Sequence, residues 1–396
     1  MNKDKRMITD DRRASVAVEF AKRFGAAPEV WSRAPGRVDL MGSHTDYNLG
    51  CVMTMTLDRD TWIAARRRPD RTVALYSLNT DGGGEFDLDW IEPDPSAPWT
   101  DYVRGVAKFL QEEGHVLTGL DCLVHSTVPF SSGVSSSAAL EMAAAVIFQL
   151  TSGFQIDPAR MALIGQRAEN KFVGVNCGIL DQYSSALGRE GSTLLLDCRD
   201  LTHRIVPMAA GWQVVICETR ARRTLAGTEY GERRAQCEEG VRLLQAWYPG
   251  IVALRDVALA QFTAHEQDLP TVVAKRCRFI IEENQRVLDL AAALSAGDAA
   301  RLGQLFAASY AGARDLYEIG APAMEAMMQA MLGAPGVAAA RQAGAGFGGC
   351  MVALVHDRQV DAFAEHVVRT YAIATNIEPQ VYPVKPAPRA GALWVE

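Results

Sequence analysis

A short segment rich in serine is well suited to holding a phosphate group. Residues 129–141 place one glycine and several serines between a predicted strand and an alanine-rich predicted helix. Backbone N–H groups at a helix start bind anions, and serine hydroxyls can donate to phosphate or ligate Mg²⁺. A serine-rich N-cap on an ordinary core helix is the other interpretation, because the sequence has no Walker GxxxxGK[ST] pattern.

A second segment, residues 34–50, crowds different hydrogen-bonding side chains between two apolar runs. It contains Arg37, His44, Asp46, Tyr47 and Asn48, which we expect to lie in one loop. Such a set suits a polyhydroxylated ligand, whose hydroxyl positions are read by donors and acceptors. A turn held by Asx and threonine hydrogen bonds is the alternative. That alternative is weaker here because each polar type would need its own structural reason.

A third segment, residues 343–350, is dense in glycine and carries no charge. Four glycines lie between two apolar runs. This density indicates positive φ angles or close approach of another backbone. Taken alone, it is more typical of a tight connection between two strands than of a ligand site.

Two carboxylates stand out in a fourth segment, residues 167–181. Glu169 lies late on a predicted helix and Asp181 follows a Cys-Gly turn. The two could serve a metal ion and a substrate hydroxyl respectively. On their own they are more typical of solvated surface acids.

The elements that must position these residues follow from hydrophobic periodicity. The predicted helices are 12–25, 102–113, 136–151, 158–172, 230–247, 279–294, 299–316, 322–331 and 358–370. The predicted strands are 51–57, 61–65, 72–78, 121–128, 192–197, 212–218, 337–342 and 350–355, with loops at 81–84 and 92–98. The pattern predicts an α+β fold in two halves.

Composition excludes several classes of protein. The chain has 396 residues, a formal net charge of −7 and 48% hydrophobic residues, which excludes a mainly disordered, collagen-like or coiled-coil chain. Mild acidity disfavours a nucleic-acid binder. The eight cysteines are scattered without a CxxC pair, which predicts reduced and mostly buried thiols. With no signal-peptide pattern and no apolar run long enough for a membrane span, we expect a soluble, cytoplasmic protein.

The four segments occur together and in order, and the chain resembles the galactokinase branch of the GHMP small-molecule kinases over nearly its whole length. GRVDLMGSHTDYNLG is similar to the galactokinase signature, SSGVSSSAALE to the phosphate loop of the family, and GAGFGGC to its third motif. AENKFVGVNCGILDQ and RRTLAGTEYGERRAQCEE also resemble galactokinase segments.

The resemblance implies a two-domain GHMP kinase architecture with the active site in the cleft between the domains. The N-terminal domain would span residues 1–200, with a C-terminal strand at 381–396 packing back on it, and the other domain residues 205–380. The implied reaction is transfer of the γ-phosphoryl group of ATP to the anomeric C1 hydroxyl of a sugar, with Mg²⁺. We therefore expect ATP, Mg²⁺ and a monosaccharide as ligands of a monomer or weak dimer that binds neither nucleic acid nor membrane.

The resemblance also assigns roles residue by residue. Asp181 matches the catalytic aspartate beside the C1 hydroxyl, and Arg37 matches the arginine that pairs with it. An adjacent cation keeps a carboxylate ionised and neutralises charge on a transferring phosphoryl group. Whether Asp181 removes the proton early or mainly orients the hydroxyl is open. Ser136 and Glu169 match the residues associated with Mg²⁺. The implied sugar contacts are Ser43, His44, Asp46, Gly178, Tyr230 and the cleft arginine Arg222. The implied nucleotide contacts are Ser131, Ser132, Gly133, Val134, Ser135, Ser136, Ser137, Gly346 and Gly348.

One departure from the family motif concerns the choice of sugar. The motif GEHTDY has glutamate where this chain has Ser43, and in galactokinases that carboxylate is expected to face the C6 hydroxyl. Its loss removes a charged acceptor. Asp39 in place of asparagine and Thr54 in place of proline are smaller departures. Galactose could still bind with a water beside Ser43, or the substrate could be L-arabinose or galacturonate, whose kinases also lack the glutamate.

A non-catalytic galactose sensor is a further alternative, because some relatives bind sugar and ATP without turnover. Those relatives lose residues from the serine–alanine stretch. Here residues 135–139 are complete, and Arg37 and Asp181 are both present. The sequence therefore favours an enzyme.

Overall fold

The chain forms two β-sheets with helices packed on both. The computed structural model describes residues 3–130, 132–221, 226–344 and 346–393. Its strands are β1 (Val30–Met41), β2 (Cys51–Arg67), β3 (Thr72–Ser77), β4 (Gly82–Asp87), β5 (Leu120–Ser126), β6 (Ser192–Asp197), β7 (His203–Pro207), β8 (Trp212–Glu218), β9 (Val337–Gln342), β10 (Cys350–His356), β11 (Gln380–Val384) and β12 (Gly391–Ala392). The larger sheet has the order β12-β1-β2-β5-β3-β4, with β6 between β2 and β7, and the smaller has the order β11-β8-β10-β9.

The helices lie mainly between or after these strands. They are α1 (Lys3–Phe24), α2 (Asp101–Glu112), α3 (Ser136–Ser152), α4 (Pro158–Ala168), α5 (Leu180–Leu187), α6 (Ala226–Leu244), α7 (Leu259–His265), α8 (Thr271–Ala296), α9 (Ala299–Asp315), α10 (Pro322–Leu332) and α11 (Val360–Thr375). Among the described strands, every pair is antiparallel except β3 with β5. The helices therefore do not alternate with the strands of a parallel sheet, as they do in α/β proteins. The predicted α+β class is confirmed.

Strand β2 is longer than predicted, because the sequence separates it into strands 51–57 and 61–65. The apparent break coincides with charged residues that include Asp60. In the structure Asp60 accepts hydrogen bonds from Arg12 Nη1 at 2.6 Å and Arg33 Nε at 2.8 Å. A buried carboxylate is tolerated when it is paired with cations, so the strand continues through the charged segment.

The predicted loop at 81–84 is wrong for its glycines, which open strand β4. Strand β3 lies so close that a Cβ atom on Gly83 would be 2.0 Å from the Leu75 carbonyl oxygen. Glycine inside a strand often marks such an approach. The glycine run is therefore half of a hairpin.

Apolar packing fills both faces of the smaller sheet. Side chains of β8 and β10 alternate between two clusters of buried residues, as expected for period-2 strands. Val214 and Ile216 face α8 and α9, whereas Val215 and Cys217 face α10 and α11. Burial on both faces explains why these strands are continuous apolar runs.

One apolar cluster joins the two sheets. It contains Val38 of β1 and Met53 of β2 together with Ile216 of β8, Val352 of β10 and Leu290 of α8. The larger sheet and the smaller sheet therefore contribute side chains to the same core.

The end of the chain contacts both sheets in turn. Strand β11 pairs with β8 in the smaller sheet, and β12 pairs with β1 in the larger sheet. The proposed division into residues 1–200 plus 381–396 and residues 205–380 stays a prediction. Within the described residues, no helix combines the length and apolar character that crossing a bilayer requires.

Candidate active site

A cavity of about 380 Å³ collects most of the polar side chains singled out in the sequence. The cavity is lined by residues from β1, from the loop after it and from the segment 169–181, together with Tyr230 of α6 and Gly344 after β9. The predicted site residues that line it are Arg37, Ser43, His44, Asp46, Glu169, Gly178, Asp181 and Tyr230. Segments that are far apart in the sequence therefore meet at one place.

An ion pair lies at one end of the cavity. Arg37 is in strand β1, which corrects the expectation that it lies in a loop, and Asp181 is in the first turn of α5. Both Nε and Nη2 of Arg37 donate to Oδ1 of Asp181, at 2.8 and 2.6 Å. The third guanidinium nitrogen, Nη1, donates to the Gly133 carbonyl oxygen at 2.7 Å. Arg37 thus ties the Asp181 carboxylate to the serine-rich loop.

Ser135 holds the other oxygen of the same carboxylate. Its Oγ donates to Asp181 Oδ2 at 2.5 Å. Ser135 precedes α3 with φ of 61°, in the left-handed region, which non-glycine residues adopt rarely and often at functional sites. The sequence placed Ser135 among the nucleotide contacts, and its hydrogen bond to Asp181 was not predicted.

The serine-rich loop is also held by its backbone. A Cβ atom on Gly36 would lie 2.7 Å from the Val134 carbonyl oxygen, and the Arg37 N–H donates to that oxygen at 3.1 Å. The Cys350 thiol contacts the Ser132 carbonyl oxygen from β10. Strands of both sheets therefore position this loop.

The glycine-dense segment lies beside the same loop. Gly344 lines the cavity, and a Cβ atom there would be 4.0 Å from the Gly133 carbonyl oxygen. Gly346 packs against Ile319, where a Cβ atom would be 2.6 Å from the carbonyl oxygen, and the Gly348 N–H donates to the Met324 sulfur. The assignment of Gly346 and Gly348 to nucleotide binding stays a prediction.

Asp46 and Gly178 form one wall of the cavity. A Cβ atom on Gly178 would lie 2.0 Å from Asp46 Oδ2, so the absence of a side chain at 178 makes room for the carboxylate. Burial raises the pKa of Asp46 to about 6, although a hydrogen bond from the Tyr47 backbone opposes the shift. Asp46 is therefore mainly ionised at neutral pH, and an ionised carboxylate can only accept hydrogen bonds.

Aromatic residues from both halves of the chain surround His44. The hydroxyl of Tyr47 lies 2.9 Å from His44 Nδ1 and 2.7 Å from the Tyr317 hydroxyl. The ring of Tyr230, at the start of α6, is 5.3 Å from the His44 ring. Tyr317 was not predicted, because it precedes α10 and only the fold brings it here.

Glu169 enters the cavity from a distorted helix end. The predicted helix 158–172 is α-helical only to Ala168 and continues as a single π-helical turn at Glu169–Val173, a distortion common at functional sites. Burial and the charge of Asp181 raise the pKa of Glu169. The side chain is 5% exposed, so an unpaired charge there is costly.

Two further residues connect Glu169 to helix α3, and neither was predicted. Gln182 Nε2 donates to Glu169 Oε2 at 2.7 Å and to Glu141 Oε2 at 2.8 Å. Glu141 is fully buried, and burial raises its pKa well above the usual range. Glu141 is the last residue of the SSSAALE motif, but nothing in the sequence distinguishes it from an exposed acidic residue.

Two of the predicted site residues, Ser131 and Arg222, lie outside the described residues. Among the residues that the structure describes, no group of three or more His, Cys, Asp or Glu side chains is disposed to hold a metal ion by itself. Ser136 instead lines a smaller, mostly apolar cavity of about 60 Å³, together with Trp99, Phe130 and Leu140.

Family models match three parts of the chain. The galactokinase galactose-binding signature matches residues 18–67, the GHMP kinase N-terminal domain residues 101–189 and the GHMP kinase C-terminal model residues 290–373. The first match contains Arg37, Ser43, His44 and Asp46, and the second contains the serine-rich loop and Asp181.

Curated relatives carry the name galactokinase. The chain is 44% identical to the galactokinase of Roseiflexus sp. (strain RS-1), over 92% of this chain and 93% of that one. It is 45% identical to the galactokinase of Chloroflexus aurantiacus (strain ATCC 29366 / DSM 635 / J-10-fl), over 90% and 91% of the two chains.

Solved structures agree with these sequence matches. Lactococcus lactis galactokinase, crystallised with galactose, superposes with a TM-score of 0.90 at 32% identity, over 96% of this chain and 99% of that one. Methanococcus jannaschii mevalonate kinase superposes with a TM-score of 0.65 at 14% identity, over 91% and 99% of the two chains. The second likeness concerns the fold alone.

Proposed function

The chain belongs to the galactokinase family of GHMP kinases, and from that premise we propose that it transfers the γ-phosphoryl group of ATP to the C1 hydroxyl of galactose. One observation carries the proposal. The Asp181 carboxylate lines the polar cavity and accepts hydrogen bonds from Arg37 and from Ser135 of the serine-rich loop. A hydroxyl bound in the cavity and a phosphate bound on the loop would therefore share Asp181 and Arg37 as neighbours.

Asp181 and Arg37 divide the chemistry between them. Asp181 accepts a hydrogen bond from the C1 hydroxyl and so orients its oxygen. As the new O–P bond forms and the bond from the γ-phosphorus to the β,γ-bridging oxygen of ATP breaks to release ADP, Asp181 receives the hydroxyl proton. Arg37 holds the carboxylate in place and neutralises charge on the transferring phosphoryl oxygens. The Ser135 hydroxyl donates to Oδ2 and Arg37 donates twice to Oδ1, which leaves the second lone pair of Oδ2 to accept from the sugar.

The nucleotide is held at the start of helix α3. Free N–H groups there, beside Ser136 and Ser137, suit the phosphates. The small cavity that includes Ser136 is also lined by Trp99, Phe130 and Leu140, and these apolar side chains offer a surface against which the flat adenine ring would lie.

The side chains near this loop fit Mg²⁺, because the Glu169 carboxylate hydrogen-bonds to Ser137 at the start of α3. Ser136 and Glu169 would hold it, and both offer the oxygen ligands that this ion prefers. The Glu169 carboxylate is buried and crowded by Asp181, so a neighbouring cation would stabilise its charged form. When bound, Mg²⁺ neutralises phosphate charge. The phosphates would complete its coordination.

Polar side chains along the rest of the cavity would form hydrogen bonds with the sugar hydroxyls. Asp46 accepts from sugar hydroxyls, His44 is held by Tyr47 for a defined hydrogen bond, and Tyr230 closes the side formed by α6. A site built to pair with each hydroxyl rejects analogues that lack one.

ADP release measured with galactose, L-arabinose, galacturonate, glucose and galactosamine tests the proposed function. We expect galactose to give the highest kcat/KM. A higher kcat/KM with L-arabinose or galacturonate would assign the enzyme to that sugar, and Ser43 is the observation that favours this second candidate. Saturable sugar binding without ADP release from any sugar would identify a sensor and overturn the kinase proposal.

Substitution of Gly178 tests whether the cavity wall formed by Asp46 and Gly178 binds the sugar. Gly178→Ala pushes a methyl group into the Asp46 carboxylate, so we expect KM for the sugar to rise about tenfold or more, with little change in KM for ATP. Gly250→Ala is the matched control, because no atom lies within 4 Å of a Cβ built there. An unchanged KM for the sugar in Gly178→Ala would remove Asp46 and Gly178 from the sugar site.

A further inference from the structure

Asp39 and Ser43 form a buried acceptor pair at the cavity wall. Both residues line the cavity, and they are 1% and 4% exposed. Ser43 Oγ donates to Asp39 Oδ2 at 2.6 Å and accepts from Arg341 Nη2 at 3.0 Å. The serine hydroxyl has only one hydrogen, so it cannot also donate to a ligand.

The strand register places Asp39 one pleat away from Arg37. The two residues pair with Thr54 and Thr56 in a regular stretch of the β1–β2 ladder. Alternate residues share a face, and two residues span roughly 6.8 Å of antiparallel strand. Val38 between them points into the apolar core. Arg37 and Asp39 therefore face the same cavity about one pyranose ring apart.

One oxygen of Asp39 has no hydrogen-bond partner within the described residues. Oδ1 is buried and unsatisfied, although Oδ2 accepts from Ser43. A buried polar atom without a partner costs free energy. A ligand hydroxyl in the cavity would supply the missing partner.

The neighbouring Arg341 stabilises the Asp39 carboxylate and leaves its Oδ1 without a hydrogen-bond partner in the described part of the chain. Arg341 is fully buried, with Nη1 4.0 Å from Asp39 and Nη2 3.5 Å from Glu283. Glu283 also accepts from Ser309, Arg286 and the Gly42 N–H. Arg341 thus has a second carboxylate partner, which does not line the cavity.

Two of the sequence departures from the family motif are in contact with each other. The family motif pairs asparagine at position 39 with glutamate at position 43, whereas this chain pairs Asp39 with Ser43. Both pairs contain one carboxylate, and in this chain it lies beside the buried Arg341. In this chain the carboxylate is on strand β1 and the serine is in the loop that follows it.

We propose that Asp39, oriented by Ser43, supplies the acceptor for the sugar hydroxyl farthest from C1, the C6 hydroxyl of galactose. Asp39 is thus a specificity-determining residue, and galactose is retained as substrate despite the loss of the glutamate at position 43. This inference rests on the proposed function, since Asp181 defines the C1 end of the ring.

The test compares galactose with 6-deoxygalactose. For the wild-type enzyme we expect kcat/KM to be about tenfold or more higher for galactose, because the analogue leaves Asp39 unpaired. Asp39→Asn should bring the two values to within about twofold of one another. The double variant Asp39→Asn with Ser43→Glu should restore the preference by returning the carboxylate to the loop. The single change Ser43→Glu is unsuitable, because it puts two carboxylates together.

Glu283→Gln is the matched control. It also removes a carboxylate partner of Arg341, so any general loosening of the buried network should lower kcat/KM for both sugars equally and leave their ratio unchanged. Equal losses for the two sugars in Asp39→Asn would make Asp39 only a counter-ion of Arg341 and overturn the inference. A wild-type ratio near one would also overturn it, even if Asp39→Asn does not fold.

Calorimetric binding of the two sugars without ATP separates this inference from the proposed function. If the wild-type protein binds galactose more tightly than 6-deoxygalactose and Asp39→Asn does not, Asp39 reads the hydroxyl whether or not ADP is released. Equal binding of both sugars by the wild-type protein contradicts the role of Asp39 while leaving the kinase activity intact.

Discussion

Asp181→Asn should lower kcat by about 10³-fold while the protein remains folded and binds ATP normally. Asparagine has nearly the same shape as aspartate but cannot receive the proton of the C1 hydroxyl at neutral pH. It also leaves Arg37 without its anionic partner, although the Gly133 carbonyl oxygen still holds Nη1. Steady-state ADP release and calorimetric titration with ATP are the two measurements.

Asp197→Asn is the control for this variant. Asp197 is also paired with an arginine, Arg255, and its side chain is 24% exposed compared with 25% for Asp181. It does not line the cavity. We expect Asp197→Asn to lower the melting temperature but to leave kcat close to the wild-type value. If Asp181→Asn retains a kcat close to the wild-type value, Asp181 does not receive the proton.

Arg37→Ala should lower kcat by about 10³-fold, because arginines that neutralise phosphoryl charge contribute on this scale. Arg37 makes hydrogen bonds to both Asp181 and the serine-rich loop, so its loss also misplaces the carboxylate. Arg37→Lys keeps the charge but loses the planar fork, and we expect its kcat to lie between those of Arg37→Ala and the wild type.

The comparison of Arg37→Lys with Arg255→Lys separates an effect on kcat from an effect on stability. Arg255 forms a similar paired contact with Asp197 outside the cavity, so Arg255→Lys should affect stability and not kcat. Equal kcat values for Arg37→Ala and the wild type would contradict the assignment of Arg37 to the phosphoryl group.

Three strands of the smaller sheet, β8, β9 and β10, could be predicted from the sequence almost to the residue. Strands β8 and β10 are apolar runs buried on both faces and ended by polar residues, so pattern and structure agree. Helix α8 was predicted to begin at residue 279 but begins at Thr271. Its first residues, Thr271 and Val272, are β-branched and have weak helix propensity. Both residues are exposed, and the buried residues that follow them, Val273, Ala274 and Cys277, anchor the first turns of the helix in the core of the C-terminal half.

The site was predictable where a local motif carries it and unpredictable where the fold assembles it. Arg37 and Asp181 could be named from their motifs, and the structure places them in contact. The bond from Ser135 to Asp181 joins residues 46 positions apart. Tyr317 reaches Tyr47 across 270 positions. Periodicity and composition carry no information about such tertiary contacts, which form only in the folded chain.

The apolar cluster that contains Val38, Met53, Ile216, Val352 and Leu290 has a consequence for cooperativity. Because the same buried side chains stabilise both sheets, neither half retains its packing when the other is lost. Heat should melt the whole chain in a single sharp transition, and a cavity-forming substitution at Leu290, on helix α8, should weaken the strand that carries Arg37 and Asp39.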